Sequence, residues 1–429
     1  MSLQSGRLGW PMIAGLSVAI VVAGQFSGWN YGLAGGWANM LVATLVVALF
    51  YVGLALCVAE LSSALPSAGG FGTYSQLAFG PLPGFLVGLA VFVALAIGTG
   101  AAANFISSYA ASLFGVSGWP LKLALFVIII GIHLRGVGEA MGLTFAAGAV
   151  AVVSLFVFCG ALAPKFDVSN LIAADQTLSV TPGGIVACVP FAVWLFLGLE
   201  QAATASEEVK DPGHAMPRGL LTAIAILLCT ALGVLIIAPG AGGSARIAAA
   251  GDPLYAAMTS PTAFGRATWL GGAIGLAALF GLAATFFSLS YSASRQLFSV
   301  ARDIDLPWVS ATNKHGTPTA ALLVVGAIGF LTSAVSPEKI LVSVVFLLSL
   351  SYVFTLAAFI WLRRFRSDLA RPFRTPGGTI TAAAALALSI LVVSACFQLD
   401  RLILTALLAT LIGGALLFAL RRLQLAPRA

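Results

Sequence analysis

The chain alternates between long apolar runs and short polar connections. A transmembrane helix needs about 20 apolar residues, and twelve runs have close to this length. They cover residues 11–36, 39–64, 81–112, 119–135, 139–163, 183–203, 218–238, 267–295, 318–335, 338–362, 376–397 and 401–420. The pattern predicts an all-α integral membrane protein with about 12 transmembrane helices.

Composition agrees with this pattern and excludes a soluble protein. Of the 429 residues, 60% are hydrophobic and only 8% are charged, whereas a soluble domain carries about 25% charged residues. No stretch looks like a soluble module, so we predict one multi-pass domain over 1–429, with no enzyme activity and no cofactor. The net charge of +7 comes from basic residues scattered over short loops, which argues against nucleic acid binding.

The positions of Lys and Arg predict the orientation. An even number of spans puts both termini on one side, and all but six of the 21 basic residues fall on that side. Cytoplasmic loops are enriched in Lys and Arg, so we expect a cell-membrane protein with both termini in the cytoplasm. The exceptions are Lys122, Lys165, Arg246, Arg266, Lys339 and Arg401.

The cysteines suggest no metal or disulfide chemistry. All five lie inside apolar runs, and none has the spacing of a metal ligand. We interpret them as small apolar side chains and expect no metal site. They are Cys57, Cys159, Cys188, Cys229 and Cys396.

Two spans contain residues that are unusual at membrane depth. The first holds GQFSGWNYGLAGG (24–36), and the sixth holds VPFAVWLFLGLEQAA (189–203). These spans begin two candidate five-helix halves of opposite orientation, 11–163 and 183–362, which two extra helices over 376–420 follow. Interrupted helices at matching places in inverted repeats indicate the midplane site of a secondary transporter. We therefore predict a leucine-transporter-like five-plus-five inverted repeat with broken helices 1 and 6.

The two breaks offer complementary polar groups. A half-helix that starts near residues 27–29 would present free N–H groups and a positive dipole end to a carboxylate or hydroxyl oxygen. Carbonyl groups freed near 195–198 would suit an ammonium group. The pair fits an amino acid or, less completely, an amino alcohol. Helix packing is the alternative, because GxxxG spacing in 24–36 is also a helix-contact pattern.

Two motifs resemble those of the amino acid–polyamine–organocation (APC) superfamily of permeases. ELSSALPSAGGFGTY (60–74) is similar to its signature after the second helix, and FAVWLFLGLEQAATASEEVKDPGHAMPRG (191–219) is similar to its sixth helix and following loop. Within the superfamily, GQFSGWNYGLAGGWANMLVATL (24–45) looks most like the ethanolamine-permease-like branch. The third span lacks the acidic residue expected in that branch, and Gln25 stands where an acid often occurs.

The WLFLGLE segment also resembles the arginine–agmatine antiporter. The resemblance implies that Trp194 gates the substrate and that Glu200 couples binding to closure. Glu60, at the end of the second span, forms either an inner-gate ion pair or a structural contact that fixes a loop. The predicted substrate-binding residues are Gly24, Gln25, Phe26, Ser27, Gly28, Asn104, Trp194, Leu197, Gly198, Phe287 and Tyr291.

We expect a permease that moves an amino acid or related small amine across the membrane by alternating access. Proton symport or exchange is favoured over sodium coupling, which makes a proton the expected coupling partner beside the substrate and the lipid bilayer. The alternatives are an ethanolamine-type permease and a non-transporting sensor built on a transporter fold. Oligomeric state stays open, with a homodimer as one alternative.

Overall fold

The computed structural model describes residues 9–67, 69–135, 138–172 and 178–425. In this part the chain is built of α-helices joined by short connections and by short 3₁₀ helices. The α-helices are α1 (Trp10–Val21), α2 (Trp37–Ala64), α3 (Gly70–Phe79), α4 (Pro81–Phe114), α5 (Trp119–Arg135), α6 (Gly138–Leu162), α7 (Pro182–Trp194), α8 (Pro212–Gly242), α9 (Ser244–Ala249), α10 (Pro253–Met258), α11 (Trp269–Asp303), α12 (Thr319–Thr332), α13 (Pro337–Phe365), α14 (Thr379–Ala395) and α15 (Arg401–Leu425).

The helices confirm the predicted all-α membrane fold. Each predicted apolar span coincides with one helix or with a broken pair of helices. Within the described ranges, nine helices are long and apolar enough to cross a bilayer, and the bent first helix makes a tenth. α12 is apolar but has only 14 residues. The division into two inverted halves stays a prediction.

Local signals explain where the helices begin and end. α4 starts at Pro81, where a missing N–H costs nothing, and stops before Gly115, which has the left-handed φ of 70°. α11 starts after Thr268, whose hydroxyl accepts a hydrogen bond from the Gly271 amide at 3.0 Å. These boundaries depend on residues close in sequence.

Small residues allow the central helices to approach closely. α4 is the most enclosed of the described spans, because 89% of its most apolar 18-residue stretch is buried. The corresponding stretch of α15 is only 11% buried. A Cβ added at Gly100 of α4 would lie 2.6 Å from Thr332 Oγ1 and 2.8 Å from the Gly329 carbonyl of α12. Gly100 is therefore a packing notch of the kind that membrane helices use in place of hydrophobic attraction.

Gly100→Ala is expected to lower the thermal unfolding temperature in detergent. Its Cβ would meet backbone atoms of α12 that cannot move aside, and such overpacking costs about 1–3 kcal/mol. Gly131→Ala on α5 is the matched control, because within the described residues the added Cβ meets no atom of another helix closer than 4 Å. Equal unfolding temperatures for the two variants would contradict the packing role.

Candidate functional site

The first span breaks where the sequence predicts it. After α1 the chain forms a 3₁₀ turn over Val22–Gln25, passes through a tight turn, and continues as a second 3₁₀ helix over Trp29–Gly35. The part before the turn, Trp10–Gln25, and the part after it, Trp29–Gly35, meet at a bend of 49°. Gly28 sits at the turn with a φ of 100°, a conformation that L side chains rarely adopt.

The sixth span is also interrupted, although Pro182–Ala203 as a whole shows no bend comparable to that of the first span. α7 ends at Trp194, the chain turns through 195–198, and a 3₁₀ helix follows over Leu199–Glu208. Gly198 has a φ of 98° and again supplies the conformation that a turn requires. Both predicted interruptions are therefore present, and each has a glycine at its turn.

The two breaks lie against each other through Trp194. Its indole Nε1 donates a hydrogen bond to the Ser27 carbonyl at 3.0 Å. A Cβ at Gly28 would lie 2.6 Å from this nitrogen, and one at Gly24 would lie 2.8 Å from the Trp194 carbonyl. The glycines of the first break thus leave room for the tryptophan of the second.

Side chains satisfy the carbonyl groups that the first break sets free. Trp29 Nε1 donates to the Gln25 carbonyl at 3.0 Å, and Tyr109 of α4 donates its hydroxyl to the Phe26 carbonyl at 2.9 Å. Irregular backbone at membrane depth is tolerated only where protein or a water-filled cavity satisfies it. Together with Trp194, these aromatic donors hold the turn in place.

The Gln25 side chain joins the first break to its neighbours. Its Nε2 donates to the Leu227 carbonyl of α8 at 2.9 Å and lies 3.5 Å from the Leu195 carbonyl at the second break. Gln25 is fully buried. It therefore connects both breaks to α8, as well as forming part of the predicted site.

Glu200 lies just after the second break and is buried. Its Oε1 accepts a hydrogen bond from the Tyr352 hydroxyl of α13 at 2.7 Å. Its Oε2 has no hydrogen-bond partner among the residues that the structure describes. Glu200 also lines a small cavity, together with residues at the start of α3 and in α11 that include Gly70 and Gln296. The carboxyl group thus links the second break to α13.

Glu60 fixes the connection between α13 and α14. Its Oε2 accepts a hydrogen bond from the Thr375 amide at 2.6 Å, and its Oε1 lies 3.2 Å from Arg371 Nε. Arg363 Nη1 lies 3.6 Å from Oε2. The ion pair with Arg371 of the loop and the hydrogen bond to the loop backbone fit both predicted alternatives, an inner-gate ion pair and a structural contact, and the choice between them stays a prediction.

Three residues that the sequence predicts in the pocket form contacts away from the two breaks. Asn104 donates to the Val335 carbonyl at 3.3 Å. The Phe287 ring lies 4.2 Å from the His133 ring of α5, and the Arg295 guanidinium lies 3.3 Å from the centre of the Tyr291 ring. Asn104 thus contacts the α12–α13 connection and Phe287 contacts α5, while the role of all three residues in a pocket stays a prediction.

Leu197 lies in the turn of the second break and is partly buried. The sequence interpretation missed other residues of this region, chiefly Tyr352 and Phe105, whose ring lies 6.3 Å from Trp194. A lone tyrosine within the apolar run of α13 is a signal that could have marked Tyr352. Its pairing with Glu200 spans 152 residues of sequence and has no local signature.

A family model described as amino acid permease matches residues 6–418. The chain belongs to the amino acid permease family. An uncharacterized transporter of Rhizobium meliloti (strain 1021) is 31% identical over 338 residues, covering 74% of this chain and 70% of that protein. The branched-chain amino acid permease of Bacillus subtilis (strain 168) is 24% identical, covering 86% of this chain and 83% of that protein. A probable GABA permease of Pseudomonas aeruginosa is 26% identical, with 76% and 71% covered.

These comparisons confirm the predicted membership of the APC superfamily. The ethanolamine branch is not confirmed. The family and the many apolar helices make this permease a multi-pass cell-membrane transporter for amino acids or related substrates, and not an enzyme.

Gly28→Ala is expected to reduce substrate uptake at least tenfold. The added methyl group would push Trp194 away from the Ser27 carbonyl, in addition to straining the turn. Gly80→Ala is the matched control, because Gly80 has a similar φ of 93° but open space around its Cβ. Uptake into liposomes measures the difference, and equal loss in both variants would mean that backbone strain alone is responsible.

Proposed function

We propose that this permease is a secondary active transporter that carries a neutral amino acid by alternating access. The observation that supports this most is the meeting of the two helix breaks through Trp194 and Ser27. Two interrupted helices in contact bring oppositely polarised backbone ends together inside an apolar protein. Both termini then lie in the cytoplasm, as the distribution of Lys and Arg favours.

The chemistry of the breaks favours a zwitterion. Neither 24–36 nor 195–199 contains Asp, Glu, Lys, Arg or His, so no side chain there is charged near neutral pH and backbone dipoles supply much of the polarity. N–H groups at the first break suit a carboxylate, and carbonyl groups at the second suit an ammonium. A substrate with an additional charged group would have no third polar group in these segments to bind that charge.

The named relatives support the same substrate class. One is described as a branched-chain amino acid permease and another as a probable GABA permease. The first break is lined by apolar groups such as Phe26 and, on α13, Leu341, which lies beside Gly28. This environment suits an amino acid with an apolar side chain.

An ethanolamine-type amine permease is the second candidate. The pattern GWN followed by GL and GGW in the first break favours it. Ethanolamine shares the ammonium group with an amino acid but lacks the carboxylate. The need for a carboxylate therefore separates the two candidates.

In this proposal Trp194 gates the substrate and Glu200 couples transport to a proton or to exchange. Trp194 lies against the first break and is only partly buried. Glu200 is an intramembrane carboxyl group, a class that is costly and usually functional. Its hydrogen bond to Tyr352 supports a role in transmitting protonation to α13.

A thermal-shift screen of the purified protein is expected to give its largest stabilisation with a neutral amino acid. A ligand raises the unfolding temperature when it binds the native state alone. The amide and the decarboxylated amine of the same amino acid are the matched controls, with ethanolamine as the test of the second candidate. A larger shift with amines than with amino acids would contradict the zwitterion site.

Glu200→Gln is expected to flatten the pH dependence of uptake more than it weakens substrate binding. The amide keeps the size of the side chain and an acceptor for Tyr352, but it cannot exchange a proton. Glu338→Gln, at the exposed start of α13, is the control and should leave the pH profile unchanged. A profile unaltered by Glu200→Gln would remove the carboxyl group from the coupling role.

A further inference from the structure

The Asn30 side chain joins the first break to the segment between α8 and α11. Its Oδ1 accepts a hydrogen bond from the Gly28 amide at 3.0 Å. Its Nδ2 donates to the carbonyl groups of Ile247 at 2.9 Å and Ala250 at 2.8 Å, at the end of α9. One buried amide thus caps the beginning of a half-helix and the end of a short helix outside the membrane spans.

The segment 243–258, which contains α9 and α10, has further contacts with the site. The Ser27 hydroxyl donates to the Gly251 carbonyl at 3.1 Å. Gly251 also lies against α4, where a Cβ would be 2.9 Å from Ser108 Cβ. Ile247, which belongs to the segment, is fully buried. The segment therefore covers the first break, and its recorded hydrogen bonds to the break come from Ser27 and Asn30.

We infer that Asn30 is a positioning residue that couples closure of segment 243–258 to the geometry of the first break. When the segment is seated, its carbonyl groups hold Nδ2, which orients Oδ1 toward the Gly28 amide. When the segment lifts, Nδ2 loses these acceptors, and the side chain is free to release the Gly28 N–H. The position of segment 243–258 therefore decides whether the Asn30 side chain holds the Gly28 N–H group, which lies beside Trp194.

An amide performs both tasks because it carries an acceptor and a donor. Asp keeps an acceptor for the Gly28 amide but presents a negative oxygen to the carbonyl groups of Ile247 and Ala250. Asn30→Asp therefore leaves the contact within the break and destroys the contact with the segment. The inference rests on the proposed alternating access, but its test measures exposure of the segment and needs no transport.

The experiment measures how fast a charged maleimide labels Ile247→Cys in detergent-solubilised protein. Labelling is expected to be at least tenfold faster with Asn30→Asp, a change that corresponds to about 1.4 kcal/mol. Ser27→Ala removes one neutral hydrogen bond and should accelerate labelling less, by about threefold. The same variants without the added cysteine correct for labelling of native cysteines.

Asn39→Asp is the matched control. Asn39, in the first turn of α2, is another buried amide, but its partners are the Gly35 carbonyl and the Thr181 amide. It should destabilise the protein without exposing position 247. Unchanged labelling with Asn30→Asp, or equal acceleration with Asn39→Asp, would overturn the inference.

Hydrogen–deuterium exchange provides a second measurement on protein without an added cysteine. Amides of 243–258 should exchange faster in Asn30→Asp than in the parent protein, while those of α4 should not change. This arm decides the question if Ile247→Cys does not fold. Exchange that rises equally in the segment and in α4 would indicate general loosening and would overturn the inference.

Discussion

The exposed backbone groups of the two helix breaks are the constraint on which the rest of the structure depends. At membrane depth no bulk water is present to satisfy them, so protein groups must do so. The hydrogen bond from Trp194 to the Ser27 carbonyl meets this requirement and also brings the breaks together. Tyr109 of α4 likewise donates a hydrogen bond to the Phe26 carbonyl of the first break, and Gln25 of the break donates one to a carbonyl of α8. The positions of α4, α7 and α8 are thereby tied to one irregular turn.

The polar contacts around this centre are of two kinds. Toward segment 243–258 they are neutral hydrogen bonds between side chains and carbonyl groups, from Ser27 and Asn30. Toward the α13–α14 connection they involve charge, with Glu60 held by two arginines. Neutral hydrogen bonds exchange readily with water, whereas a buried ion pair is costly to break. The two sets of contacts therefore differ in how costly they are to break.

Much of the candidate site follows from local sequence. Gly28 and Gly198 mark the turns because only glycine adopts a positive φ without cost, and their apolar surroundings make the interruption visible. The partners of Glu60 and Glu200 were not predictable, because they lie 315 and 152 residues away in sequence. Phe287 and Tyr291 were also assigned to the pocket from sequence alone. Their helical spacing places them on one face of α11, but it does not show which residues that face contacts.

The sequence by itself determined the all-α membrane fold, the approximate spans, the two breaks and the family. These properties depend on hydrophobicity, turn residues and motifs that are contiguous in the chain. Only the tertiary structure decided that Trp194 contacts Ser27, that Asn30 holds segment 243–258, and that Glu200 pairs with Tyr352. Hydrogen bonds are short and directional, so they depend on how distant helices are placed, which no local pattern records.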